Sequence, residues 1–254
     1  MEELETRFHL RGKVAVVIGG AGYLCSAIAK AFVESGLQVM VLDLPETPPT
    51  HLGNLGPSLG YTQCDTTSKS SLQRAREEVL ARWGKVDILV NGAGTNAPTP
   101  FFEISEKELS RILDVNLSGL FYSCQVFGEV MVARRAGSII NFASASSGPP
   151  LSKAFVYSVA KAGVVNLTQN LAREWAPFNV RVNALRPGFF PTEWSMKNFI
   201  DEHRKSKILG HTPMGRFGRP DELIGASLWL ASEAATFVTG SVVAVDGGFT
   251  AMTI

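Results

Sequence analysis

The stretch VIGGAGYLCSAIAKAF (residues 17–32) decides how the chain folds. It closes an apolar run, VAVVI (14–18), with a glycine-rich turn, then passes into residues that put Ile28, Ala31 and Phe32 on one helical face and stop at Gly36. A strand running through such a turn into a helix is the opening half of a βαβ unit. Within it, Gly20-x-Gly22-x-x-Cys25 keeps two of the three glycines of a dinucleotide-binding turn. The first glycines allow a tight turn and a close approach of backbone N–H groups to a pyrophosphate at the helix N-terminus. The third lets helix and strand pack closely, a role small Cys25 can fill. Asp43 follows Gly22 by 21 residues, at the end of QVMVLD (38–43), where an acid accepts hydrogen bonds from a ribose 2′-OH. LDLPE (42–46) offers no Arg or Lys for a 2′-phosphate, so NAD(H) is favoured over NADP(H).

The same alternation continues outward through VDILVN (86–91), SIINF (138–142), VRVNALR (180–186) and VVAVD (242–246). Nearly continuous apolar strands separated by helical patterns predict one Rossmann-type α/β domain over 1–254, a doubly wound parallel sheet with helices on both faces. PETPPTHLGNLGPSLG (45–60) reads as a surface loop. FFPTEWSMKNFIDEHRKSKILG (189–210), with Trp194, Met196 and Phe199 punctuating polar residues, reads as a substrate lid.

The 254 residues are 45% hydrophobic and carry a net charge of +1, with basic residues scattered apart from short clusters such as RKSK (204–207). This points away from nucleic acid and membrane surfaces and toward a small-molecule substrate. Cys25, Cys64 and Cys124 are odd in number and far apart, and MEELETRFHLRGK (1–13) has no apolar signal segment. A cytoplasmic, disulfide-free enzyme is expected. His9, His51, His203 and His211 lack ligand spacing, so no metal is expected.

The chemistry is carried by YSVAK, which sets Tyr157 and Lys161 four residues apart on one face of a helix written by AFVYSVAKAGVVNLTQNLAREW (154–175). A phenol with a pKa of about 10 is tuned by a neighbouring ammonium that favours its ionised form. Beside NGAG (91–94), Asn116 in LDVNLSG, Ser144 in NFASAS and RPGFFPT (186–192), this pair resembles the short-chain dehydrogenase/reductase family from about residue 12 to 250. The resemblance implies hydride transfer between a nicotinamide cofactor and an alcohol/carbonyl pair. Tyr157 would protonate the forming alkoxide, Ser144 would hydrogen-bond the carbonyl oxygen, Lys161 would hold the nicotinamide ribose and lower the Tyr157 pKa, and Asn116 would hold a water relaying protons to Lys161. It further implies cofactor contacts from Gly19, Gly22, Tyr23, Leu24, Asp43, Asp65, Asn91, Gly92, Ala93, Tyr157, Lys161, Pro187, Gly188 and Thr192. Asp65 is expected to cap a helix start and touch the adenine, and Asn91 to stabilise the central sheet. Thr192 would bond the carboxamide or cap the helix that follows. The family's first motif, T-G-x-x-x-G-x-G, is altered by Ile18, Tyr23 and Cys25, with Gly22 offset by one.

Within the family, GGAGYLC (19–25), SKILGHTPMGRFGRPDEL (206–223) and VTGSVVAVDGGF (238–249) are similar to the D-mannonate oxidoreductase (fructuronate reductase) branch. The last two are shared with 3-oxoacyl-carrier-protein reductases and gluconate 5-dehydrogenases, in which they form subunit contacts, implying a homotetramer. A sugar acid requires a cation and several hydrogen-bonding groups, for which Lys153, Asn96 and Arg186 are the candidates. The same-class alternative is a 3-oxoacyl thioester reductase. A dinucleotide-sensing module without turnover is the alternative of a different class, and the intact Ser144, Tyr157, Lys161 and Asn116 argue against it.

Overall fold

Seven parallel strands form a single sheet in the order β3-β2-β1-β4-β5-β6-β7 in the computed structural model, which describes residues 2–53 and 56–252. At its centre, β1 (Val14–Ile18) pairs with β2 (Gln38–Asp43) on one side and β4 (Ile88–Asn91) on the other. The outer strands are β3 (Leu59–Gln63), β5 (Gly137–Phe142), β6 (Val180–Pro187) and β7 (Val242–Val245). Because side chains alternate across a strand, Val14, Val16 and Ile18 enter one core while Ala15 and Val17 enter the other. The first core is closed by α3 (Lys69–Trp83), α5 (Gly119–Arg134) and α6 (Phe155–Trp175), through residues such as Leu72, Phe127 and Val164. The second is closed by Ile28 and Phe32 of α2 (Tyr23–Glu34) and Leu230 of α9 (Ile224–Ala231). A sheet buried on both faces needs apolar residues at every position, which is why these strands lack polar alternation. Among the described residues no helix is long and apolar enough to cross a membrane.

Several sequence expectations shift by a residue or two. The helix after the glycine turn starts at Tyr23 and ends at Glu34, with Ser35 as its C-cap and Gly36 at φ +85° directly beyond. β4 starts at Ile88 because Asp87 is turned to other work, its Oδ2 accepting from Val14 N at 2.8 Å. The described residues of the 45–60 stretch form a loop with one 3-10 turn, except that its last two residues already belong to β3. Asp65 does not cap α3: its Oδ1 accepts from Thr67 N at 2.9 Å in a local turn, and Ser68 is the cap. Too few residues separate Asp65 from that turn for one carboxylate to reach the helix as well. The 189–210 segment folds as α7 (Glu193–Asn198) and α8 (Glu202–Gly210). The Trp194 side chain assigned to its apolar stripe lies outside the described residues.

The glycine turn is shaped by contact with the loop after β4. Gly19 has φ +69°, and a Cβ there would stand 2.6 Å from Ala93 N. A Cβ on Gly92 would lie 2.1 Å from Cys25 Sγ. The thiol therefore occupies space that Gly92 leaves vacant, which accounts for a cysteine where a third glycine is usual. Burial pushes this thiol up to about 12, so it is a packing group and not a nucleophile at neutral pH.

This pairing predicts the outcome of a double-mutant cycle read by urea unfolding. Gly92→Ala costs about 1–3 kcal/mol by overpacking. Cys25→Gly costs about 1 kcal/mol through helix propensity, and the double variant is clearly more stable than the sum of the two losses. Strict additivity would show that Sγ and position 92 do not share this space.

Candidate active site

The strand order reverses between β1 and β4, and such a reversal leaves a crevice at the carboxyl ends of the strands. A cleft of about 450 Å³ lies there. Gly19, Gly22, Tyr23 and Leu24 line it from the first turn, Gly92 from the loop after β4, Ser144 from the end of β5, and Pro187, Gly188 and Thr192 from the end of β6. Tyr157 and Lys161 enter from the first two turns of α6, one helical turn apart.

Ser144 is fixed by its neighbours. Its Oγ accepts from Ser146 N at 3.2 Å and from Ser146 Oγ at 3.1 Å, and its backbone N donates to Ser147 Oγ at 2.9 Å. With those donors taken in, the Ser144 hydroxyl proton is left to point outward. Tyr157 hydrogen-bonds Ser144, yet burial outweighs that bond and holds the phenol above its ordinary pKa. The expected lowering by Lys161 is not what the geometry delivers. The ammonium stands over the Tyr157 ring, 5.5 Å from its centre, and donates to Phe142 O at 2.8 Å, and it is not among the causes that shift the phenol. Lys161 is itself 2% exposed, and burial pulls it down to about 8.

Asn116 occupies a single π-helical turn (Asp114–Ser118) between α4 (Glu106–Leu113) and α5. Its Nδ2 donates to Ile112 O at 2.9 Å and Thr95 O at 2.7 Å, while its Oδ1 is buried with no partner. A Cβ on Gly94 would lie 2.9 Å from that Oδ1 and 3.8 Å from Lys161 Nζ, so the orphaned oxygen and the ammonium border the same gap. A buried acceptor facing a donor across a small polar gap is where a bridging water is expected.

The remaining sequence candidates are scattered more widely. Asp43 closes the first turn, its Oδ2 accepting from Ala21 N at 2.9 Å and its Oδ1 from Leu44 N at 2.8 Å. The Asn91 side chain points into the interior, donating to Asn141 Oδ1 at 2.8 Å and accepting from Ser123 Oγ at 2.7 Å. It thus ties β4 to β5 and α5 by side-chain bonds, and Ala93 stands beside it against the Gly19 turn. Asp65 remains in its local turn. Thr192 both lines the cleft and caps α7, accepting from Ser195 N at 3.1 Å. Of the three groups nominated for a carboxylate, Asn96 reaches the cleft. Lys153 pairs instead with Asp201 at 3.4 Å, and Arg186 is not among the residues lining it. Sequence reasoning missed Ser146, which orients Ser144, and Arg204, noted only as part of the short basic cluster RKSK, which lines the cleft. The S-x-S spacing of ASAS (143–146) was the one available signal for the former.

The cleft suits a nicotinamide dinucleotide on its own terms. A glycine turn that side chains would block and a helix N-cap without a side-chain acceptor at Gly22 sit on its wall, and the orphaned Asn116 Oδ1 lies just behind Gly94 of that wall. The comparisons agree. The family model adh_short_C2, described as enoyl-(acyl carrier protein) reductase, matches residues 21–250. An uncharacterized oxidoreductase of Bacillus subtilis, UxuB, is 37% identical over 96% of both chains. An NAD-dependent glycerol dehydrogenase of Listeria innocua is 36% identical, again over 96% of both. Among solved structures, a gluconate 5-dehydrogenase of Burkholderia cenocepacia in complex with NADP and tartrate superposes with a TM-score of 0.92 at 31% identity, covering 98% of this chain and 100% of that one.

The buried ammonium has a measurable signature. The unfolded chain keeps the Lys161 proton up to its ordinary 10.5, whereas the folded chain releases it from about 8. Above pH 8 the unfolded state therefore binds more protons, and this group makes stability rise with pH. From pH 8 to 9 wild type should gain about 1 kcal/mol relative to Lys161→Met in urea unfolding, a comparison in which the opposing effect of the buried thiols, whose unfolded forms titrate near 9.0, is common to both chains. A flat or falling difference would place the ammonium in a water-like setting.

Proposed function

The chain belongs to the short-chain dehydrogenase/reductase family and is an oxidoreductase acting on a secondary alcohol or ketone, and from that premise we propose that its substrate is a sugar acid, D-mannonate and D-fructuronate being the leading pair. The observation that carries the substrate class is the cleft itself: beyond Ser144 and Tyr157 its wall offers Thr95, Asn96, Ser146 and Ser195 as hydrogen-bonding groups. Each of these groups is already held by a protein partner, and the capacity it keeps for a second hydrogen bond is what a polyhydroxylated substrate can use and an apolar one cannot. The complex of the gluconate 5-dehydrogenase relative with tartrate, a hydroxy acid, supports the acid. The 3-oxoacyl thioester reductase remains the rival reading.

In this proposal Gly19, Gly22, Tyr23, Leu24, Gly92 and Ala93 hold the dinucleotide's phosphates and adjoining sugar, Asp43 the adenosine ribose, and Pro187, Gly188 and Thr192 the nicotinamide end. Asp65 reaches the adenine. The dinucleotide supplies or accepts the hydride. During reduction, the Ser144 hydroxyl donates to the carbonyl oxygen and Tyr157 Oη gives it a proton, tasks for which a phenol held protonated is suited. Lys161 orients the ribose, and the Asn116 Oδ1 gap holds the water that returns a proton toward Lys161. Asp43 is already fixed against the first turn, and no basic residue adjoins it in LDLPE, which favours NAD(H) over NADP(H). The NAD dependence of the glycerol dehydrogenase relative supports this, while the NADP complex speaks for a permissive pocket. Phe189–Gly210 acts as the lid, with Phe199 and Ile200 turned toward the cleft. The three thiols are free and buried, which suits a cytoplasmic setting.

We also propose a homotetramer. Phe102 is 99% exposed and Val159 65% exposed, and Phe101 links Phe102 to Phe155 through edge contacts at 5.7 and 5.3 Å. This is a continuous apolar strip on one side of α6, of the kind that marks a protein interface.

Two measurements test this reading. Following NADH oxidation with D-fructuronate, 5-ketogluconate and an acetoacetyl thioester, each repeated with NADPH, should give efficient turnover of a keto acid with NADH. Tyr157→Phe should lower kcat by 10³-fold or more, on the order expected for a lost proton donor with its hydrogen bonds, while NADH binding persists. Preference for the thioester would move the enzyme to acyl reduction. For assembly, light scattering should give four copies for wild type and a smaller species for Phe102→Asp, and a monomeric wild type would refute the interface.

A further inference from the structure

Two cationic side chains, Lys161 and Arg204, line the cleft, and no carboxylate does among its described residues. Lys161 is committed to Phe142 O. Arg204 is held differently. It sits in the first turn of α8, where its backbone N donates to Asp201 Oδ1 at 2.7 Å. Its Nη2 donates to Ser152 O at 2.7 Å, on the loop that leads into α6 and Tyr157. Its Nη1 is buried and has no acceptor. Burial has also begun to lower the guanidinium below its ordinary pKa, with the Asp201 charge opposing.

A guanidinium is a planar fork of five donors that remains charged in proteins, and a buried N–H of such a group is costly when left unpaired. The anchoring of one arm fixes the plane of the fork and leaves the other arm in want of an anion. We propose that Arg204 is the specificity-determining residue that binds the carboxylate of the substrate, with Nη1 as the donor that the carboxylate satisfies. The inference rests on the sugar-acid reading above and narrows it, because it assigns the charged end of the substrate to α8 and the reacting carbon to Ser144 and Tyr157. It also gives α8 a reason to close: the same side chain bridges that helix to the loop before α6, so an anion bound to it ties the lid to the rigid half of the cleft. Lys153, which pairs with Asp201, braces the other side of this bridge.

The experiment compares an aldonate with its uncharged alditol in wild type, Arg204→Met and Arg204→Lys, and measures the affinity of tartrate for each NADH complex by calorimetry. In Arg204→Met the aldonate-to-alditol ratio of kcat/KM should fall at least twentyfold, chiefly through the KM of the aldonate. Arg204→Lys should recover part of this ratio, since it restores the charge without the fork. Tartrate affinity should fall by at least tenfold in Arg204→Met while NADH affinity stays within twofold. A ratio and a tartrate affinity unchanged by either substitution would overturn the proposal, as would equal losses for charged and uncharged substrates. If wild type turns over no sugar acid, the substrate reading fails by itself. Tartrate binding then decides Arg204 independently: its loss in Arg204→Met upholds anion recognition, and its retention refutes it.

Discussion

The cleft depends on how closely the chain leaving β1 can approach the chain leaving β4. Parallel strands lie about 4.8 Å apart, and side chains at both turns would hold the two loops further from each other. Gly19 and Gly92 remove those side chains, and the gap is closed from the helix side by Cys25 Sγ. The result is a first turn that presses on Ala93, so the wall formed by the first turn and the wall formed by the loop after β4 are set as one unit. The departures from the family's glycine pattern are therefore compensated and not merely tolerated: bulk added at Cys25 is matched by bulk withheld at Gly92.

Behind this contact the structure spends polar groups to make the site rigid. Asn91, Asn141, Ser123 and Thr168 are buried and bonded to one another across β4, β5, α5 and α6. A fully satisfied network of this kind fixes one arrangement of the elements around it. The elements it fixes are those that carry Ser144, Tyr157 and Lys161. In contrast, two buried groups at the cleft are left incompletely paired: Arg204 Nη1 on its wall and Asn116 Oδ1 just behind Gly94. Satisfied polar groups hold the framework and unsatisfied ones await a ligand, a division expected wherever binding must supply what folding withholds.

The fold was legible because a doubly covered sheet writes itself as unbroken apolar runs, and β1, β2, β5 and β6 fall within a residue of those runs. β3 was harder to bound, since LGYTQ lies at the sheet edge with Tyr61 and Thr62 only partly buried, and a half-exposed strand lacks the continuous signal. Ser144, Tyr157 and Lys161 were legible as a set because a helical spacing and a strand end place them with little freedom. Their electrostatics were not, since the i, i+4 spacing brings Lys161 near Tyr157 without saying whether ring or hydroxyl faces the ammonium. The search for a carboxylate partner failed for a related reason. Lys153 and Arg186 lie near motif residues in sequence, yet Lys153 adopts φ +58° and its ammonium meets Asp201 instead. Arg204 lies 43 residues beyond Lys161 in the segment read as a lid, whose sequence does not say which of its polar residues turns inward, and the turn of α8 is what brings it back to the cleft.

The two cations of the cleft differ in what each demands of the surroundings. Lys161 lies deep, with one carbonyl as partner, and responds to burial by releasing its proton near pH 8. Arg204 cannot respond in that way, because a guanidinium stays protonated far above neutral pH, so its field persists whatever the solution does. Asp201 at the start of α8 offsets part of that field, but no acid is among the described residues of the cleft wall, so what remains favours an anion over a second cation there. An anion entering the cleft also stabilises the protonated form of Lys161 through space and so raises its pKa. The charge of a bound molecule and the proton inventory of the site are consequently linked: an anion brings the lysine back toward full protonation, whereas an uncharged molecule leaves it half titrated near pH 8. A cleft arranged in this way responds to charge twice, once through the field of Arg204 and again through the protonation state of Lys161.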